Sequence, residues 1–437
     1  MLPSVGNPPY TSPLNASFTV KRGVQDAGIV RRCVQYMHLP RSRSDSFDLI
    51  VVGAGPSGSM AALSAQRRGM KTLLLEREEE VGGNVICGEG VSSWIFKDFL
   101  EFNPRWICSK ITGAVFRLQD VREFMVSFPD AGWILNRKNL DGGLSRIAAT
   151  SGVTVLTGAL ASAPIMQGDK LIGVTVALGR SERHYFAPIV IGADGISSAV
   201  GRWVSMDTAL GLREIASCAQ WLVRSSEIPQ NRVEFVVGRQ IAPGGYAWVF
   251  PKGGGAANVG VGISPLCSRR KAVDFLGDFV SHRFTDAKVL EQKSGGVSGA
   301  FKGELARENV LLCGDAARVG DPLSGAGIYN ALATGALAGQ TAAEMESTEL
   351  STRYRKRVLK KFGRQLRMSE ELRRIYLELD DDQLQELWQF GERRFSGRTI
   401  REVHFFTTVC SLVCTHPKYT RYIPRLAKAG FHMSKTI

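Results

Sequence analysis

No run of eighteen or more uncharged apolar residues occurs in the chain, which excludes a bilayer-spanning helix. Cysteine is sparse and scattered, eight in 437 residues, with no CxxC pair and no spacing that suits a metal. Zinc ribbons, iron–sulphur segments and disulfide scaffolds are set aside on that ground, and no secretory signal opens the sequence. The expectation is a cytoplasmic protein with reduced thiols and no metal. Acid is the minority charge: 41 Asp and Glu stand against 55 Lys and Arg, a formal net charge of +14. A surface of that sign favours an anionic partner, whether a phosphate-bearing cofactor, an acidic membrane face or an acidic electron-carrier protein. Nucleic acid is set aside, because no motif interleaves aromatic with basic residues.

What is present in quantity is glycine, 47 residues, gathered in short clusters rather than in linkers. Residues 1–45, rich in Ser, Pro and Arg, show no firm periodicity and read as a disordered extension or an organelle-targeting segment. The ordered body opens at "FDLIVVGAG", from Phe47. β and α signals alternate to about residue 80. Short strands follow through 110–135, a helix around 138–151, and strands at "VTVLTGALA", "LIGVTVAL" and "PIVIGADG". A strand-rich block covers 213–263, and a strand, glycine-rich turn and long helix occupy 309–346. This interleaving predicts an α/β fold with a Rossmann-like nucleotide domain built discontinuously from 46–205 and 290–346. An antiparallel-sheet substrate domain over 206–289 is inserted into it, and a helical region over 347–437 follows.

The first motif is Gly53-x-Gly55-x-x-Gly58, set between the strand "DLIVV" and a helix. Gly53 permits the tight turn, Gly55 lets the backbone approach a pyrophosphate, and Gly58 lets the helix pack near the strand. Pro56 and Ser57 complete a loop whose helix N-terminus offers unpaired N–H groups to an anion. Glu76 ends the second strand, "KTLLLE", placed to accept hydrogen bonds from an unphosphorylated ribose; Arg77 beside it is counted with the cofactor contacts. That acid favours FAD or NAD over NADP. Two distant turns then favour FAD: "VIGADGISSAVGRW", with Asp194 and Gly195, and "NVLLCGDAARVGDPLSGAGIYNA". In the second, Gly314 and Asp315 form a turn from which the carboxylate reaches a polyol. Pro322, Gly325, Ala326, Gly327 and Ile328 lead into a helix whose amides face a pyrophosphate or an electron-rich ring edge. A flavin with a ribityl chain needs such distant loops, and a nicotinamide does not.

On these three motifs, residues 47–345 resemble the flavoprotein class that includes para-hydroxybenzoate hydroxylase. The resemblance implies that Glu76 holds the adenosine ribose and Asp315 the ribityl chain. Arg137, in "LNRKNLDGGL", matches the Arg that opens a helix in this class, and either helps hold the cofactor or caps the fold. Two further stretches narrow the resemblance. In "PGGYAWVFPKGGGAANVGVGI", Tyr246, Trp248 and Phe250 share one strand face, beside a return strand thinned by Gly260 and Gly262. That pair either leaves room for an elongated apolar substrate or forms an ordinary sheet core. In "VICGEGVS", at 85–92, Cys87, Gly88 and Glu89 come just after the first βαβ unit. Together the two stretches resemble the geranylgeranyl reductase family, FAD enzymes that saturate carbon–carbon double bonds of prenyl chains. The form "CGEG" looks closest to archaeal-type digeranylgeranylglycerophospholipid reductases. This resemblance implies an active-site Cys87, set with Gly88 against the flavin, and a prenyl-lipid or prenyl-diphosphate substrate.

An isolated alkene has no carbonyl to take up charge, so hydride delivery needs a proton at the other carbon. A thiol of pKa about 8.5 is mostly protonated at neutral pH, and either donates or positions a proton-bearing flavin or water. Glu89 then orients the loop or relays protons. The expected arrangement sets Cys87 at the end of an apolar tunnel walled by Tyr246, Trp248 and Phe250. No second nucleotide fingerprint marks the electron donor, which leaves NADPH and reduced ferredoxin open. "RYRKRVLKKFGRQLR", 353–367, has eight Lys or Arg and no acid. It reads as a solvated helix face or as a seat for anionic headgroups or an acidic carrier. Across 399–414, Ile400, Val403, Phe406, Val409 and Val413 recur at helical intervals, for core packing or shallow membrane insertion. The rival readings are an FAD monooxygenase or halogenase of a small aromatic compound and a flavoprotein passing electrons to quinone. The latter lacks its iron–sulphur segment.

Overall fold

A parallel strand covered on both faces has no solvent side, so its sequence is a continuous apolar run. The computed structural model, which describes residues 45–119, 122–344, 349–400 and 405–429, puts four such runs at its centre. Leu49–Val52, Thr72–Leu75, Ile189–Gly192 and Val310–Leu312 are buried throughout. Their sheet runs in the order Ala306–Arg307, Val310–Leu312, Ile189–Gly192, Leu49–Val52, Thr72–Leu75, Thr154–Leu156. All pairs are parallel except the first. Chain order reverses at Leu49–Val52, and a doubly wound sheet opens a crevice at the carboxyl ends of its strands at such a point. The helix Pro56–Gln66 leaves that end with Pro in its first turn and no side chain capping it. The expected extension at 1–45 lies outside the described residues, apart from Asp45.

A second sheet has eight strands, in the order Lys288–Ser298, Ile215–Arg224, Ala256–Ile263, Tyr246–Gly253, Arg232–Val237, Ile107–Leu118, Arg122–Leu135, Gly90–Val91. It reaches past the expected 206–289 insertion, to Ser298 at one end and by three strands from 90–135 at the other. Register is the reason. Arg232–Val237 pairs in parallel with Ile107–Leu118, and Gly90–Val91 pairs with Trp133 and Ile134. The turn bearing Cys87 is thereby joined to this sheet. Helix Ala272–Arg283 covers part of one face, burying Phe275, Leu276, Phe279 and Val280 against Val259 and Val261. Ala159–Gln167, Lys170–Leu178 and Ser181–Phe186 form a third, smaller sheet.

The C-terminal region is helical: Leu350–Val358 continues through a π turn, Leu359–Gly363, into Arg364–Glu378, and Asp381–Phe395, Phe405–Thr415 and Ile423–Lys428 follow. Tyr354, Val358, Phe362 and Leu366 bury one stripe in the core of the first sheet, where Tyr354 Oη donates to Leu312 O at 2.7 Å. The opposite face turns Arg353, Arg355, Lys356, Lys360 and Lys361 to solvent. The spacing read across 399–414 does not make one helical face. Ile400 packs near Phe124 and Trp388, whereas Val409 and Val413 pack near Ile375 and Leu379. Val403 and the Phe406 side chain lie outside the described residues. Among the described residues, no helix is long and apolar enough to cross a membrane.

Candidate active site

Three turns meet at the carboxyl ends of the central strands. Gly53 N donates to Leu75 O at 2.7 Å, Ala193 N to Val52 O at 2.8 Å and Cys313 N to Gly192 O at 3.0 Å. Gly58 is dictated by contact, since a Cβ there would stand 1.8 Å from Gly53 O. A Cβ on Gly55 would meet nothing within 4 Å, so the space over the helix start is open. Glu76 Oε2 accepts from Ala54 N at 2.8 Å and Oε1 from Glu78 N at 3.0 Å, which fixes the carboxylate at the rim of the loop. Arg77 departs from expectation: its side chain is 65% exposed, turned to solvent and paired with Glu78.

Beside Gly195, Asp194 Oδ2 accepts from Val200 N at 3.0 Å, while Oδ1 is buried without a partner. Burial pushes this carboxyl above its usual range. Asp315, after Gly314, lies close to the start of the helix Ile328–Glu344; a Cβ on Gly327 would stand 3.5 Å from its Oδ1. Asp315 is itself exposed at the crevice; desolvation by the surrounding walls raises its carboxyl, while the Arg137 and Arg318 guanidiniums pull it down. The turn through Pro322, Gly325 and Ala326 is shaped by Asp321, whose Oδ1 accepts from Leu323 N at 3.1 Å and from Ser324 N at 2.8 Å. Ser369, from the C-terminal helices, donates to the other Asp321 oxygen at 2.6 Å. An unpartnered buried carboxylate oxygen, an uncapped helix start and the open space above Gly55 fit a dinucleotide carrying a polyol chain. FAD answers that description.

The Cys87 turn stands at the edge of this crevice. Glu89 N donates to Cys87 Sγ at 3.2 Å. Glu89 itself has φ +68°, a left-handed backbone that costs a side-chain-bearing residue about 1–2 kcal/mol. Its carboxylate holds it there. Oε1 accepts from Arg137 N at 3.2 Å, and Oε2 accepts from Asn258 Nδ2 at 2.7 Å and from Lys252 Nζ. Asn258 Nδ2 also reaches Gly88 O at 3.3 Å. No motif in the sequence marks Lys252 and Asn258 as site residues. The available signal was a lysine and an asparagine inside a hairpin otherwise made of apolar and small residues.

Arg137 opens the helix Arg137–Thr150 and is buried against Asp141, with bonds of 2.8 and 2.7 Å to its two oxygens. Burial opposes the guanidinium charge, and Asp141 more than offsets it, so Arg137 stays charged. For the half-buried Cys87, burial pushes the thiol up and Arg137 pulls it down, with a net rise. The thiol therefore keeps its proton at neutral pH.

The aromatic strand corrects one expectation. Trp248 pairs with Gly260, and a Cβ on Gly260 would stand 2.1 Å from Trp248 Cζ2. The space on the glycine-thinned strand is filled by the indole, because a glycine's volume is taken by its cross-strand neighbour in a close-packed interior. Phe250 lies against the Cys87 turn, where a Cβ on Gly88 would stand 3.0 Å from two of its ring carbons. Tyr246 Oη donates to Ser324 O. Centroids of the three rings are 5.8 and 6.4 Å apart. The row thus runs from the 321–327 turn to the Cys87 turn.

Comparison with known proteins follows the same division. Residues 48–202 match the family described as FAD dependent oxidoreductase, and residues 214–297 match the Geranylgeranyl reductase catalytic domain. The digeranylgeranylglycerophospholipid reductase of Methanosarcina mazei is 39% identical over 360 residues, covering 78% of this chain and 88% of that protein. The chain belongs to the geranylgeranyl reductase family. A reductase of the same name from Methanothrix thermoacetophila is 37% identical over 352 residues, covering 78% of this chain and 90% of its own. A solved geranylgeranyl bacteriochlorophyll reductase-like protein from Thermoplasma acidophilum matches with a TM-score of 0.81 at 28% identity, covering 87% and 99% of the two chains. A flavin-dependent brominase, with a TM-score of 0.62 at 16% identity over 86% of this chain and all of its own, shares the fold alone. This geranylgeranyl reductase is an FAD-dependent oxidoreductase.

Proposed function

We propose that this geranylgeranyl reductase saturates carbon–carbon double bonds in the geranylgeranyl chains of a prenyl lipid. The observation that carries the reading is the placing of the Cys87 thiol in one turn with the Arg137 guanidinium and the Phe250 ring at the edge of the flavin crevice. The names of the related reductases, which specify a digeranylgeranyl glycerophospholipid, support it. Bound FAD, when reduced, supplies the hydride. The chain's residues supply the rest. Gly53, Gly55, Gly58 and Glu76 hold the adenosine end of the cofactor, and Asp194, Asp315 and the Gly325–Gly327 turn hold its polyol and ring end. Cys87 gives a proton to the alkene carbon next to the one that takes the hydride. Tyr246, Trp248 and Phe250 keep that exchange dry and orient the prenyl chain. Electrons reach the flavin from NADPH or reduced ferredoxin. The cations exposed along 353–361 suit an acidic carrier or an anionic membrane face that bears the substrate.

The test is anaerobic incubation of the dithionite-reduced holoprotein with a geranylgeranyl phospholipid, followed by mass spectrometry. Wild type should add two hydrogens per reduced bond. Cys87→Ala, at unchanged FAD content, should be slower by roughly a hundredfold or more. Undiminished reduction by Cys87→Ala removes the thiol from the mechanism, and no reduction by wild type refutes the substrate class.

A further inference from the structure

The Glu89 carboxylate also borders a second cavity, of about 60 Å³, lined by Gln220, Lys252 and Asn258 with Glu291 and Lys293 at its mouth. Gln220 is only 7% exposed, and its Oε1 is buried without a hydrogen-bond partner. Such an orphan costs about 1–3 kcal/mol unless water satisfies it. The cavity is polar and large enough for several water molecules. At the mouth, Lys293 pairs with Glu291 at 3.0 Å, and the Glu291 side chain is 52% exposed. The cavity therefore runs from solvent to Glu89, whose N–H is bonded to Cys87 Sγ. Its inner end and the thiol share one tight turn.

We infer that this cavity is a water-filled proton path serving Cys87, with Gln220 positioning its water. The inference rests on the alkene reduction proposed above. Each double bond takes up one hydride and one proton. The thiol that gives the proton becomes a thiolate, which the adjacent Arg137 charge stabilises. One proton from bulk water, passed along the path, restores the thiol and leaves the protein unchanged. Gln220 stands opposite Gly260, which stands opposite Trp248, so the cavity lies on the same sheet face as the aromatic row and brings the proton to the turn along its solvent edge, past Glu291 and Lys293.

The test uses FAD holoprotein carrying Gln220→Leu, which puts an apolar group of similar size in the cavity, and Gln220→Glu, which restores an acceptor. A high-resolution crystal structure of wild type should show ordered water within hydrogen-bonding distance of Gln220 Oε1 and of the Glu89 carboxylate. With excess dithionite and geranylgeranyl phospholipid, turnovers after the first should slow by about tenfold or more in Gln220→Leu, with a larger solvent deuterium isotope effect. Gln220→Glu should recover most of the rate, and FAD content should be equal in all three proteins. A dry cavity in wild type, or equal rates and isotope effects in wild type and Gln220→Leu, overturns the inference. A wild-type holoprotein that is not reoxidised by the prenyl lipid refutes the substrate class instead, and the presence or absence of cavity water then decides the path.

Discussion

Lys252 and Glu89, 163 residues apart in sequence, form an ion pair that ties the aromatic hairpin to the turn carrying Cys87. Their side chains are 18% and 11% exposed, so water screens the pair little. Asn258, from the same hairpin, and the backbone N–H of Arg137 complete the shell of the carboxylate. Three groups from two distant chain segments thus converge on one acid, and that convergence maintains a left-handed backbone at a residue other than glycine.

Removing one member of such a pair leaves the other buried and uncompensated. Lys252→Met should destabilise the FAD-loaded protein by about 3 kcal/mol. The double variant with Glu89→Gln should lose less than the sum of the two single losses. Urea unfolding of the holoproteins measures both. Strict additivity would mean that the two residues do not interact.

Gly260 makes a different kind of prediction, about volume. Gly260→Ala places a methyl group inside the Trp248 indole, and the hairpin must open to admit it; the expected loss is about 1–3 kcal/mol or more. Shrinking the ring with Trp248→Leu in the same chain should recover part of that loss. Gly262→Ala, whose Cβ would stand 3.3 Å from the movable Cys218 Sγ, should cost less. Thermal unfolding of the four proteins ranks them, and a Gly260→Ala variant as stable as wild type contradicts the packing described.

The dinucleotide fingerprint was legible because its parts are local: Gly53, Gly58 and Glu76 lie within one βαβ unit, and strand, turn and helix periods announce it. The ring row was legible for the same reason, since alternation puts Tyr246, Trp248 and Phe250 on one face. Features that depend on pairing across distance were not. Asn258 became a site residue only through its register opposite Phe250. Gly260 looked like room because a sequence displays the small residue and hides the neighbour that fills its space. The apolar spacing from Ile400 to Val413 counted across two settings, for Thr399 bridges to Ser127 while Val409 and Val413 lie in the helix Phe405–Thr415. Arg77 follows Glu76 in sequence, but successive residues at a strand end point opposite ways.

Glu76 and Arg77 give the sharpest contrast for the cofactor. Glu76→Ala removes a carboxylate from the rim of the glycine loop and two hydrogen bonds of charged type, each worth about 1.5–3 kcal/mol. FAD affinity should fall by roughly tenfold to a hundredfold. Arg77→Ala should bind FAD as wild type does. Quenching of FAD fluorescence on titration into the apoproteins reads both, and a larger loss in the Arg77 variant would reverse the assignment.

The last prediction concerns alkaline pH. Burial pushes the thiols of Cys87, Cys218 and Cys313 up, the latter two to about 12. Each is held more tightly protonated in the folded chain than in the unfolded one, so the unfolded chain loses these protons first as pH rises. Stability from the three thiols is complete below the ordinary thiol value of about 8.5 and is lost progressively as pH climbs through the raised folded values. Unfolding free energy should therefore decline above about pH 8.5, with a shallower slope in Cys218→Ala. At Cys87 the same shift preserves the proton that the mechanism proposed above draws on. Alkylation of Cys87 by iodoacetamide, followed by peptide mass spectrometry, should rise at a higher pH than that of a free cysteine derivative. A Cys87 profile that rises earlier would mean the thiolate forms readily, and the side chain would then be a poor proton donor in the resting enzyme.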